Sequence, residues 1–311
     1  MRVTREGNRF SETLMSATRL QFPLLTPASA RRGIVFALLC ATAALTVPGQ
    51  AAAAGLDLHF ERFIDPATAT PNTPIENTSY KQLMREVGMA MGPRMAGPAA
   101  SGGSLGVEAS YEISGVGTNS TADYWTKAAG SPQSIVTTQQ VRVRKGLPYS
   151  MQVGGVVTGL SNSSLTAIGI ELGVSITDGY KNIPDILVRP SIHTVLGNSQ
   201  IDMFIVGLDL AASKSFGIGG VVAIQPWIAY SPSFTHVNTH LVSLYPTDKS
   251  IRPIVAQLAP LGDASHIADA ISQRATIGFR VIVTRVQIGA EFMRSFSESL
   301  SMVTGKIGVS F

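Results

Sequence analysis

Cys40 is the only cysteine in 311 residues, which excludes a disulfide framework and any thiolate metal site. Charge is sparse as well, at 14% of residues, and the mean hydropathy is positive (+0.23). Such a balance belongs to a chain that meets lipid. Yet beyond residue 54 there is no apolar run of the roughly 18 residues that a helical span needs, so the body of the chain carries no helical membrane span. Gly-rich phosphate loops, Cys/His clusters and nucleotide fingerprints are also missing, and no cofactor is expected. A sequence pI near 9.3 would suggest a nucleic-acid partner. The excess base, however, is confined to residues 1–54, where six arginines face only Glu6 and Glu12. The remainder is balanced, so no nucleic-acid partner is expected.

Residues 1–54 read as an address. Arg31 and Arg32 precede an apolar run from Ile34 to Val47, followed by Pro48 and the small residues Ala51 to Ala54. These are the parts of a secretory signal peptide cut after Ala54. The leader before it is long, and initiation at Met15 would shorten it. Leu39 stands where a lipoprotein signal needs a small residue, so Cys40 is expected to be unlipidated and lost on processing.

Residues 55–103 form a second unit. Pro66, Pro71 and Pro74 mark an irregular stretch. Tyr80, Leu83, Met84, Val87 and Met91 then recur at helical spacing, predicting an amphipathic helix over 79–91. Thr78 or Ser79 can cap it, and Gly92-Pro93 stops it. A lone amphipathic helix must bury its stripe elsewhere: in a lumen as a plug, across a periplasmic mouth, on a partner, or along a rim. Residues 97–103 read as a flexible joint.

From 104 to 311 the period changes to two. Ten segments alternate: roughly 104–115, 134–145, 148–160, 164–176, 185–196, 200–211, 218–230, 273–284, 286–295 and 301–311. Each is long enough for the 9–11 residues that a tilted membrane strand needs. One face is apolar, as in Ile168, Ile170, Leu172, Val174 and Ile176, or Phe204, Val206, Leu208 and Leu210. Tight turns are expected at Lys145-Gly146, 161–163, 197–199 and Thr284-Arg285. The predicted fold class is all-β, an antiparallel up-and-down transmembrane barrel of ten strands. Two further segments, 236–244 and 251–258, allow twelve; either number is even.

The last ten residues, Met302 to Phe311, resemble the closing strand of bacterial outer-membrane barrels. In that family the terminal Phe belongs to the signal read by the barrel-assembly machinery, so Phe311 would carry it here. Val141–Pro148, Pro184–Arg189 and Ser213–Phe216 are similar to stretches of uncharacterised Gram-negative outer-membrane barrel proteins. The resemblance covers about 80–311. It implies an outer-membrane location and lipid contact, and brings no activity with it.

The strand faces opposite the apolar ones carry the charges: Glu108, Glu112, Arg142, Arg144, Glu171, Arg189, His193, Asp209, Arg280, Glu291 and Lys306. Closure would set Lys306 beside Glu108 and Glu112. Two readings follow. The charges satisfy one another as a lumen network, since an unpaired charge there would cost several kcal/mol; or they form a constriction that screens solutes by sign. Ten to twelve strands leave little room, so a narrow conduit for small or hydrophobic solutes, or a structural barrel, is expected rather than a general porin. Two alternatives remain. A lipid hydrolase would need a Ser activated by one of His59, His193, His236, His240 or His266, and a secreted β-sandwich would need no detergent. No enzyme activity and no metal site is expected.

Overall fold

The computed structural model describes residues 55–66, 69, 73–178, 180, 182–244, 254–263 and 267–311. The expected signal peptide, Met15, Cys40 and His266 lie outside the described residues.

Strand alternation closes into a ring. The strands are β1 (Val107–Gly117), β2 (Ile135–Leu147), β3 (Met151–Leu160), β4 (Thr166–Ser175), β5 (Asp185–Leu196) and β6 (Ile201–Ser213), followed by β7 (Phe216–Ile218), β8 (Val222–Thr239), β9 (Val242–Leu244) and β10 (Ile254–Ala256), then β11 (Ile271–Val283), β12 (Val286–Ser295) and β13 (Ser301–Ser310). Ten of them form the barrel, in the order β1 to β6, then β8, β11, β12 and β13, with β13 pairing back onto β1. All neighbours are antiparallel; β7 adds a short edge beside β8.

The two segments that allowed a count of twelve add no strand to the barrel. Residues 236–239 prolong β8, and β9 and β10 pair only with each other, so the barrel has ten strands rather than twelve. β8 runs through Pro226 and Pro232 because each is tolerated at a rung that can be spared. Pairing to β6 lapses between Gly207–Ser233 and Leu210–Tyr230, opposite Pro232. Pairing of β4 to β5 lapses likewise opposite Pro190. A proline offers no N–H to the ladder.

The turns at 161–163, 197–199 and 284–285 fall where expected. The first is moved: Lys145 and Gly146 belong to β2, and the chain reverses at Tyr149-Ser150. Both of these residues take positive φ (61° and 56°), which closes a tight hairpin. One end of the barrel, the turn end, carries the start of β1, the end of β13 and the hairpins at 149–150 and 284–285. The other, the loop end, carries 118–134 and the described residues between β8 and β11.

Burial alternates strictly along β4, β6 and β12. Ile168, Ile170, Leu172, Phe204, Leu210, Ile228, Ile277, Ile288, Val303 and Ile307 all point outward and are exposed. Soluble monomers rarely expose apolar patches beyond a few hundred Å². A belt that follows every strand needs hydrocarbon around it.

The helix expected at 79–91 is α1 (Thr78–Met91), one residue longer. Its cap is Asn77, whose side chain accepts a 3.0 Å bond from Tyr80 N; Thr78 and Ser79 lie inside the helix. A second helix, α2 (Asp123–Ala129), lies in the loop after β1. α1, α2, a 3-10 turn at Phe60–Phe63 and the 237–261 region share one apolar cluster, including Phe60, Tyr80, Leu83, Trp125, Val237 and Leu258. It closes the loop end.

Candidate functional site

The barrel interior is occupied by the chain's own N-terminal segment. Below α1 the strap Gly92–Ala100 descends the lumen in irregular conformation, buried almost throughout. Its composition suits the space. Gly, Ala and Pro predominate, and the two prolines bring no N–H that would need an acceptor. Residues 97–100, expected to be part of a flexible joint, are instead packed against the wall.

The inward charges grip this strap by its main chain. Arg274 Nη1 donates to Pro93 O at 2.9 Å. Arg142 Nη1 and Arg189 Nη2 reach Arg94 O at 3.1 and 2.6 Å. Arg144 Nη2 reaches Met95 O at 3.0 Å, and Lys306 Nζ reaches Ala96 O at 2.8 Å. Glu291 Oε2 accepts from Ala96 N at 2.8 Å. Ala96 is thereby held from both sides, at φ 39°, a conformation that a residue with a Cβ adopts only when its surroundings impose it. Lower down, Ser213 Oγ accepts from Ala99 N at 2.9 Å. Charge-assisted bonds of this kind are about twice as strong as neutral ones.

All of these cations but Arg274 are also paired with wall carboxylates. Glu171 sits among three guanidinium groups: Arg144 at 3.2 Å, Arg142 at 3.4 Å and Arg189 at 3.5 Å. Asp209 pairs with Arg189 at 2.7 Å, and Glu112 with Arg142 at 3.5 Å. Glu108 receives Lys306 at 2.5 Å and Arg280 at 2.8 Å. The expected approach of Lys306 to Glu108 is therefore present. Lys306 and Glu112 are cross-strand partners in register, but the printed contacts of Glu112 go to Arg142, Gln140 and Ser110. His193 is buried beside Gly169, where any side chain would collide with its ring. All eleven inward candidates line the lumen. The difference from expectation is that five of them bond the strap as well as, or instead of, one another.

Among the buried ionisable residues that escaped the sequence reading, three bear on the strap and its helix. Arg274 shares the parity of Arg280 on β11, so the alternation itself could have found it. Arg94 lies in the strap and donates to Ser114 Oγ and Thr138 Oγ1 at 2.6 Å and to Ala90 O at 2.7 Å; a lone Arg in a Gly-Pro-Ala run was its only signal. Glu86 on α1 accepts from Trp125 Nε1 at 2.6 Å and from Tyr124 Oη. Burial pushes its carboxyl above the ordinary range, and the bonds from Tyr124 and Trp125 offset this in part.

At the turn end the strap leaves a cavity of about 410 Å³, lined by Glu108, Arg144, Gln152, Gln225, Arg280 and Pro98. The described histidines outside the lumen find other partners than serine hydroxyls. His59 meets Glu61, His236 meets Gly262 O, and His240 meets Ser199 O and Asp202.

No family model matches the chain, and no curated protein matches it. Solved structures similar to it include a KdgM porin (5% identity, TM-score 0.30, 66% of this chain and 99% of that one). The N-terminal β-barrel domain of Pseudomonas aeruginosa OprF is similar at 12% identity and TM-score 0.26, over 65% and 97% of the two chains. The attachment invasion locus protein Ail of Yersinia pestis is similar at 9% identity and TM-score 0.26, over 66% and 97%. The fold rests on the chain's own strand register: a closed, even-stranded antiparallel barrel with an outward apolar belt, which is an outer-membrane β-barrel.

Proposed function

We propose that this protein is an outer-membrane barrel kept shut by its own N-terminal segment, and that it passes small polar solutes when the strap lets go of the wall. One observation carries this reading: the wall holds four successive strap carbonyls, Pro93 to Ala96, through charge-assisted bonds, with apolar packing confined to Met95 and Ala99 beside Leu187 and Trp227. A permanent stopper would be served as well by an apolar lumen, since a buried ion pair is often no more stabilising than hydrophobic residues of the same volume. A wall of Arg, Lys, Glu and Asp offers a hydrophilic path once the strap moves. The 410 Å³ cavity at the turn end is the part of that path already free of side chains. Ten strands keep it narrow. Short turns face the periplasm and longer loops the exterior in such barrels, so the turn end is periplasmic. Selectivity would fall to Arg142, Arg144, Arg189 and Lys306, the cations released when the strap leaves. The hydrolase reading gains nothing from His59, His236 and His240, whose bonding partners are carbonyl and carboxylate oxygens.

Planar-bilayer recording tests this directly, comparing residues 55–311 with the same chain lacking 55–103. The intact chain should insert and stay closed, while the truncated chain should give discrete steps. Stable insertion of both without any step would leave a structural barrel.

A further inference from the structure

The N-terminal segment does more than block the lumen: it crosses it from end to end. Its contacts form a ladder of decreasing height. Leu56 N bonds Asn162 O and His59 N bonds Ala128 O, both in loop-end connections. Gly88 lies against Thr235 and Met203 near the loop-end termini of β8 and β6. Arg94 meets Ser114 and Thr138, and Ala96 meets Glu291 and Lys306 farther down. Ala99 N reaches Ser213, and Ser101 reaches Asp178, at the turn end. Gly106 N then bonds Gly103 O where β1 begins. The chain therefore enters the ring at one mouth and starts building the wall at the other. A peripheral helix on the periplasmic rim would have left residues 55–66 and the start of β1 at the same mouth.

We infer that the barrel carries its own N-terminal segment to the cell surface. Residues 55–66 form part of the outer face, and the lumen is built to hold an extended polypeptide. This rests on the outer-membrane orientation proposed above. The recognition chemistry is that of a peptide main chain: four guanidinium groups and an ammonium aimed at successive carbonyls from Pro93 to Ala96. Beside them, Arg94 turns to Ser114 and Thr138 and Met95 packs with Leu187 and Trp227. At Gly207 an added Cβ would lie 2.4 Å from Pro93 Cγ, so the wall is recessed where the strap runs closest. A lumen meant for hydrated ions alone needs no such recess, and no donors at peptide spacing.

Single cysteines in a Cys40→Ser background read the topology in living cells. His59→Cys marks the segment, Ser120→Cys the loop after β1, and Thr284→Cys the hairpin between β11 and β12. The probe is a polymer-linked maleimide too large to cross the outer membrane. His59→Cys and Ser120→Cys should label to the same extent before and after permeabilisation, and Thr284→Cys only afterwards. Labelling of Ser120→Cys in intact cells, with His59→Cys protected until permeabilisation, would overturn surface delivery while leaving the barrel's orientation intact. Protection of Ser120→Cys itself, or labelling of Thr284→Cys in intact cells, would overturn the orientation and the inference with it. Asp65→Cys repeats the first measurement at a second exposed position, so a local disturbance at residue 59 cannot decide the outcome.

Discussion

Two consecutive pieces of one segment occupy the barrel, and they are held by different physics. α1 buries Tyr80, Leu83, Met84, Val87 and Met91 in an apolar cluster with loop-end residues. The strap beneath it buries only Met95 and Ala99 against wall apolar residues and is held by its carbonyls. Apolar burial is non-directional and grows with the area removed from water. It anchors α1 without fixing which atom meets which. Charge-assisted bonds depend on geometry, so they set the register of the strap residue by residue. Bulk sits where the loops give room, and directional bonding sits where ten strands leave little. Attachment and register have been assigned to separate stretches.

The largest effect is expected at the centre of the clamp. Arg189→Met removes the partner of Asp209, one of three cations around Glu171, and a donor to Arg94 O. Leaving a buried charge uncompensated costs about 3–5 kcal/mol. The unfolding midpoint in detergent should fall accordingly, and the full chain should open in a bilayer. Leu83→Ala attacks the other piece. A cavity in the apolar cluster costs about 2–5 kcal/mol, yet bilayer recordings should stay closed, because the strap keeps its bonds. If Leu83→Ala opened the pore and Arg189→Met did not, the roles of the two pieces would be exchanged. Gly207→Val should cost less, about 1–3 kcal/mol for overpacking, but it pushes Pro93 away and should raise conductance out of proportion to its effect on stability. The smallest effect is one of pH. The buried Glu86 carboxyl binds its proton more tightly folded than unfolded. Its contribution is therefore present at low pH and lost as pH rises from the ordinary carboxylate range through the raised value. Glu86→Gln should flatten that slope of the melting midpoint, whereas a slope unchanged by the substitution would remove Glu86 as its source.

The wall was legible because its rule is local. Each strand declares its two faces within ten residues, and even the lumen charges follow from counting by twos. Arg274 was lost through incomplete counting rather than through any ambiguity in the sequence. The moved turn at Tyr149-Ser150 and the reach of β8 past Pro232 were misjudged for a different reason. Proline and glycine signals describe the chain in isolation, while neighbouring strands decide whether a missing rung is tolerated. The strap was illegible in principle. Gly-Pro-Ala composition says only that no regular element forms there. What fixes the strap lies on eight strands spread over the rest of the chain, and nothing near residue 95 records that they converge on it.

The ring of hydrogen bonds around the strap has a consequence for the order of assembly. β1 and β13 lie far apart in sequence, and their pairing closes the barrel. An α-helix with its side chains is roughly 10–12 Å across, and the finished lumen is crowded with guanidinium groups. α1 therefore cannot be drawn through it afterwards. The strap must already lie along the inner wall when the last strand arrives, as a rope lies in a sleeve that is sewn up around it. Long-range strand pairing is slow, and that delay gives the clamp time to form. A fault in the final strand would then appear first as a seated strap in an unsealed wall, rather than as a sealed wall with its strap outside.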